Sequence, residues 1–175
     1  MPALYWRLET ASVGSPKRAD VMARKQGATS NIAGVADKLA AMDISHFNDL
    51  LAAARQQPDA QRLLLVFAAA SLPAGATAAQ RARFDAGESG ELAPLMCVDK
   101  DPAELADFAA LQRETLAMGH DWALVFAAAL PGQGRLAPAP AQVEAALTRM
   151  VEAVKTGNLT GMIPFDRQGE AVQLG

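Results

Sequence analysis

Two stretches of this chain are written twice. Val66-Phe67-Ala68-Ala69-Ala70 recurs as Val125-Phe126-Ala127-Ala128-Ala129, and each copy runs almost at once into Leu-Pro, at Leu72-Pro73 and Leu130-Pro131. Further on, residues 90–100 align without a gap on residues 157–167, and both end in an acid followed by a base, Asp99-Lys100 and Asp166-Arg167. The apolar run around each Val-Phe-Ala-Ala-Ala copy shows no polar alternation, so each reads as a strand covered on both faces. In both halves that run leads through a helical stretch to a second strand. The pattern implies a β-α-β unit present in two copies, with the two alanine-flanked strands as the central pair.

The chain has 175 residues, 51% of them apolar, which is enough for one domain with a real core. Its apolar runs stop at about ten residues, short of the length that crosses a bilayer. The first residues lack the compact apolar stretch of a secretory signal. The single cysteine, Cys97, excludes an internal disulfide and a cysteine-based zinc site. These features together predict a cytoplasmic protein with no membrane association. Residues 1–41 carry a net charge of +3 and residues 42–175 a net charge of −6. An acidic body lacks the clustered positive charge that nucleic-acid backbones require, so no nucleic-acid partner is expected.

Residues 1–41 hold breaker-rich stretches, Gly14-Ser15-Pro16 and Gly27-Ala28-Thr29-Ser30-Asn31, and keep no helical or strand period. They read as an extension, disordered or not native, with Met42 as the natural start of a single α/β domain over 42–175. Within that domain Ser45 is the expected cap of a first helix, with Phe47, Leu50, Leu51 and Ala54 on its buried stripe. Residues 62–70 form the first strand. Thr77 and Gln80 make a capping-box signature for a short helix that stops at Gly87. A strand over 92–98 follows. Asp101-Pro102-Ala103-Glu104 then reads as the start of a helix with Leu105, Phe108, Ala109 and Leu116 buried, ending at Gly119. A strand over 122–130 precedes a helix whose buried stripe is Val143, Leu147, Met150, Val151 and Val154. The last strand spans 159–165, and Asp166–Gly169 turns into a short fifth one. The expected class is α/β (α+β): duplicated β-α-β units in one four- to five-stranded mixed sheet, ferredoxin-like or doubly wound, preceded by a short helix. The helix near 102–118 departs from the ferredoxin-like scheme, which joins its second and third strands by a turn.

Chemistry-bearing residues are few. Cys97 near a strand end is the one candidate nucleophile, if Lys100 lowers its pKa; otherwise it is a small buried hydrophobe. Asp99, Lys100, Asp166 and Arg167 occupy equivalent strand ends and are the candidate ligand-binding set, with turn chemistry as the alternative reading of both aspartates. Pro131-Gly132-Gln133-Gly134 lies where a phosphate-cradling loop would lie, but the third glycine and any Gly-Lys-Ser/Thr are missing. His46 and His120 have no partner at metal-ligand spacing, so no metal is expected and no cofactor is implied.

Several stretches carry a resemblance: Ile44-Ser45-His46-Phe47, Gln61-Arg62-Leu63-Leu64-Leu65-Val66-Phe67, Ala79-Gln80-Arg81-Ala82-Arg83-Phe84, and Leu92-Ala93-Pro94-Leu95-Met96-Cys97-Val98-Asp99-Lys100. Arg149-Met150-Val151-Glu152-Ala153 and Gln173-Leu174 add to it. From Met42 onward the chain resembles a family of short proteobacterial proteins often labelled "ribonucleotide reductase subunit alpha". Reductase large subunits need a thiyl-forming cysteine and a redox pair, so with Cys97 alone the resemblance implies an accessory link to ribonucleotide reduction and not that radical chemistry. The leading expectation is a non-catalytic binding or interaction module, a possible homodimer with a possible protein partner. A small thiol-dependent enzyme using Cys97 is the alternative.

Overall fold

Gln61–Ser71 is the strand on which the rest is assembled, and its sequence explains why. From Leu63 to Ala68 every residue is 0–1% exposed, so both faces of the strand are covered. The computed structural model describes residues 6–7, 43–86 and 90–174. In chain order these form β1 (Trp6–Arg7), α1 (Phe47–Arg55), β2 (Gln61–Ser71), α2 (Ala78–Asp85), β3 (Glu91–Lys100), α3 (Phe108–Ala117), β4 (Leu124–Pro131), α4 (Pro140–Thr156) and β5 (Ile163–Phe165). They build one open sheet of order β1-β3-β2-β4-β5, in which every neighbouring pair runs antiparallel.

The α+β class and the single sheet are as the sequence implies, and β2 and β4 are its central pair. The arrangement differs in detail from both schemes named above. A mixed or doubly wound sheet needs parallel neighbours, and the described strands have none. Relative to a ferredoxin-like sheet, the edge strands are exchanged: β3 lies beside β2, and β5 beside β4. The cause is α3, which carries the chain across β2 from β3 to β4, so those two strands run in the same direction.

One face of the sheet is covered by α1 and α3. Leu63, Leu65, Phe67, Met96, Val98, Val125, Ala127, Ala129 and Phe165 meet Phe47, Leu50, Phe108 and Leu111 there. Ring contacts link Phe47 to Phe108 and Phe165, and Trp122 to Phe67 and Phe108, at centroid distances of 5.1–6.4 Å. Such aromatic pairs add about 0.5–1.5 kcal/mol each beyond area burial. The buried Trp122 indole donates to Thr115 Oγ1 at 3.0 Å, so no polar atom of it is stranded in the core. The other face is covered by α4, whose Val143, Leu147, Met150, Val151 and Val154 pack on Leu64, Val66, Cys97 and Phe126.

The duplicated motif lands on opposite faces. Val66 pairs with Phe126 and faces α4, whereas Phe67 pairs with Val125 and faces α1 and α3. The two copies therefore lie side by side yet present inverted sides, so the two-fold relation of an antiparallel pair does not superimpose them.

Local caps refine the expected boundaries. His46, not Ser45, caps α1: its Nδ1 accepts from Asn48 N at 3.0 Å while Asp49 Oδ2 accepts from His46 N at 2.9 Å. The Thr77–Gln80 box forms as expected, and Gly87 lies outside the described residues. Asp101 closes a turn instead of opening a helix, with its Oδ1 accepting from Ala103 N at 2.8 Å. Asp107 is the true cap of α3. The later start turns the helix, so its buried residues are Phe108, Leu111 and Thr115, while Leu116 is 49% exposed and Ala109 exposed. The last strand is also shorter than expected, 163–165, and the fifth is reduced to isolated bridges at Glu170 and Ala171. Of residues 1–41, only Trp6 and Arg7 are described, and they form the outermost strand.

Gly169 ties the C-terminal turn to α1. It has φ +85°, and a Cβ there would sit 2.8 Å from both His46 Nε2 and Phe108 Cδ1. Its carbonyl accepts from Phe47 N at 2.8 Å. Left-handed backbone and overpacking are each worth about 1–3 kcal/mol. Gly169→Ala is expected to lower stability by about 2–4 kcal/mol, read as a lower urea midpoint with an unchanged slope.

Candidate functional site

Alternation along β3 sorts its final residues between the two faces. Cys97 pairs with Val66 and Asp99 with Leu64, so both stand on the α4 face; Lys100 pairs with Leu63 and stands on the other. Cys97 and Lys100 are thus on opposite sides of the sheet, and the lysine does not activate the thiol. Lys100 Nζ instead donates to Glu114 of α3 at 2.6 and 2.8 Å. Burial pulls Lys100 below the usual lysine value and pushes Glu114 above the usual glutamate value.

On the α4 face, Asp99 is bound to its neighbour on β2: Arg62 Nε donates to Asp99 Oδ2 at 2.5 Å, with the carboxylate side chain 10% exposed. Beside this pair Cys97 forms the sheet side of a half-open cleft of about 220 Å³ between β3 and α4. Leu147 and Val151 complete its apolar floor, and Glu144, Thr148, Glu152 and Lys155 line it along the exposed flank of the helix. Lys155 Nζ donates to Glu152 Oε1 at 2.8 Å, which leaves an acidic rim over an apolar base. Burial first, and the charge of Asp99 second, push the Cys97 thiol above its ordinary value of 9.0. A thiol held protonated is a poor nucleophile and a reasonable apolar contact.

The four expected ligand residues do not converge. β3 and β5 run in opposite directions, so Asp99-Lys100 and Asp166-Arg167 leave from opposite ends of the sheet. Lys100 is level with Ala129 of β4, and Phe165 with Val125, about 13 Å apart along the strand at roughly 3.3 Å per residue. Asp166 serves its own turn, accepting at Oδ1 from Gln168 N and Glu170 N at 2.8 and 3.0 Å. Arg167 pairs with Asp121 at 2.8 Å and lies 5.8 Å from the Trp122 ring centre, docking that turn on the α3–β4 connection.

The glycine loop is closed by its own contacts. Gly132 N donates to Ala60 O at 2.7 Å, Gln133 N to Leu136 O at 2.9 Å and Gly134 N to Asp59 Oδ1 at 2.9 Å, so these amides are not presented to a phosphate. Among the described residues no three of His, Cys, Asp and Glu come together as a metal-holding group, and no helix is long and apolar enough to cross a membrane.

What the sequence did not suggest is the partner of β3. Trp6 pairs with Cys97 and Arg7 with Met96, laying β1 along the outer edge of β3 directly beside the cleft. Among the described residues these are the only positions of β3 paired on that side. Tyr5 and Trp6 stand out in the N-terminal stretch as its aromatic pair, but no periodicity ties them to a strand 90 residues downstream.

Compared with protein-family models, curated proteins and solved structures, the chain matches none.

Two outcomes follow from this geometry. Asp99→Leu leaves a largely buried guanidinium unpaired and is expected to cost about 1–3 kcal/mol, whereas the double change Arg62→Leu/Asp99→Leu recovers most of that loss in thermal melts. The second concerns pH. Cys97 has a higher pKa folded than unfolded, so above about pH 9 the unfolded chain has released a proton that the folded one still holds. Stability therefore falls as pH rises through that window, and Cys97→Ala is expected to flatten this part of the curve.

Proposed function

We propose that this chain is a binding module, without catalysis of its own, that captures an extended protein segment on the outer edge of β3. The observation that carries this reading is β1: two residues from the far end of the chain are already paired on that edge, at Met96 and Cys97. Strand addition supplies affinity through backbone hydrogen bonds, and neighbouring pockets supply selectivity through alternate side chains. The cleft beside Cys97 is such a pocket.

The two edges of the sheet are handled differently, and this supports β3 as the receptive one. β5 offers three residues, one of them Pro164, which blunts that edge. β3 offers ten, with its proline, Pro94, in the first half and none from Leu95 to Lys100. Acidic character over residues 42–175 favours a protein segment over nucleic acid. The N-terminal strand of a second copy fits the same edge with the same contacts, the usual low-cost route to a homodimer.

A synthetic decapeptide copying residues 1–10, added to the full-length chain at millimolar concentration, is expected to slow backbone amide exchange along β3. Thr148→Trp, which fills the cleft from the exposed flank of α4, is expected to weaken peptide binding at least tenfold. Unchanged exchange along β3 in the presence of the peptide would remove the reading.

A further inference from the structure

We propose that His46 is an acid-sensitive latch, which ties the start of α1 to the turn over residues 166–170 while its ring is neutral and lets go when Nδ1 takes a proton. The latch lies on the side of the sheet covered by α1 and α3, and it does not depend on strand capture at β3.

Both ring nitrogens are in use. Asn48 N donates to Nδ1 at 3.0 Å, and Nε2 lies 3.1 Å from Gln168 O. An amide donates only to a nitrogen that carries no proton, and a carbonyl only accepts. The arrangement therefore requires the neutral ring with its proton on Nε2. Backbone bonds flank the ring on the same two segments: Phe47 N donates to Gly169 O at 2.8 Å, and Ala171 N to Ser45 O at 2.7 Å. The fit is close, since a Cβ on Gly169 would meet Nε2 at 2.8 Å, and the Phe108 ring stands edge-on at 6.0 Å between centroids.

The choice of cap is what makes the contact sensitive to acid. Serine, threonine and asparagine cap a helix through an oxygen that keeps its lone pairs in mild acid. Imidazole loses its free lone pair on protonation, and does so within the pH range of ordinary surroundings. A proton on Nδ1 sets N–H against N–H and places a cation at the positive end of α1.

The charged groups around the ring come from three sides. Asp43 and Asp49 lie on its own segment, Asp166, Arg167 and Glu170 in the turn, and Asp107 at the start of α3. Hydrogen bonds, chiefly that from His46 N, hold the Asp49 carboxyl below the usual aspartate value, so it stays ionised and keeps the backbone half of the cap. Asp166 and Asp107 accept from amides of their own turn and helix, and Arg167 is turned to Asp121. Asp43 and Glu170 are exposed, where attraction between charges is weak. These carboxylates draw the cation, but attraction for the ring gives Asn48 N no acceptor, and water takes the place of Nδ1.

Amide exchange followed by NMR on the full-length chain, corrected for its intrinsic pH dependence, tests this. Between about pH 8 and about pH 5, protection of the Asn48 and Phe47 amides is expected to fall about tenfold, the scale of a lost helix cap, while Val66 in β2 holds. His46→Asn caps without titrating and is expected to keep both amides protected across that range. His120 is the other histidine of the chain, and His120→Asn is expected to leave the fall intact. Ring nitrogen shifts of the unaltered chain at the alkaline end are expected to show the proton on Nε2. No fall in the unaltered chain, or the same fall in His46→Asn, overturns the latch. A neutral ring protonated on Nδ1 overturns it as well, and that reading needs no variant to fold. Loss at Asn48 with Phe47 unmoved leaves a titrating cap that ties nothing, and the latch falls with it.

Discussion

The pairing of β2 with β4 is the constraint on which this structure depends. Eight consecutive registered pairs, from Gln61–Pro131 to Ala68–Leu124, join two strands that have almost no polar side chain between them. Such a ribbon is stable only if both of its faces are covered, and the covering dictates everything outward from it. α1 and α3 are held to one side by the aromatic cluster around Phe47, Phe108 and Trp122, and α4 to the other by its aliphatic stripe. Alanine in both ribbons lets helices approach closely where larger residues on neighbouring strands fill the remaining space.

Much of this was legible in the sequence, and the reasons are local. The α4 stripe is a strong 3.6-residue period with a proline at its start and Gly157 at its end, and all five expected positions are buried. The Thr77–Gln80 box and the Asp166 turn depend on neighbours within four residues, so composition alone reveals them. The start of α3 is not legible in the sequence because two aspartates, Asp101 and Asp107, compete for the same role, and tertiary packing of Phe108 decides for the second. The strand order was hidden for a different reason: no local signal distinguishes a helix that returns to the adjacent strand from one that crosses over it.

The candidate site follows the same division. Cys97 and Asp99 were visible as chemistry-bearing residues, but the alternation that separates them from Lys100 becomes meaningful only once the sheet partners are known. The equivalence of Asp99-Lys100 with Asp166-Arg167 misled because similar sequence at two strand ends says nothing about the direction in which those strands run. The cleft itself joins one residue of β3 to six of α4, and β1 reaches the same place from the opposite end of the chain. Contacts of that range leave no periodic trace.

One irregularity decides which chemistry faces which helix. Between Phe67 and Ala68 the register on β3 skips from Met96 to Pro94, so Leu95 is an extra residue, and Leu95 and Met96 both turn toward α1 and α3. Were Leu95 to take an ordinary place in the ladder instead of bulging, strict alternation counted from Leu92 would send Cys97 and Asp99 toward the aromatic cluster and Lys100 beneath α4. A carboxylate would then be driven among phenylalanines, and the cleft would be floored by an ammonium group. The bulge at one residue thus acts as the parity switch that gives this sheet a thiol-lined side and a lysine-bearing side.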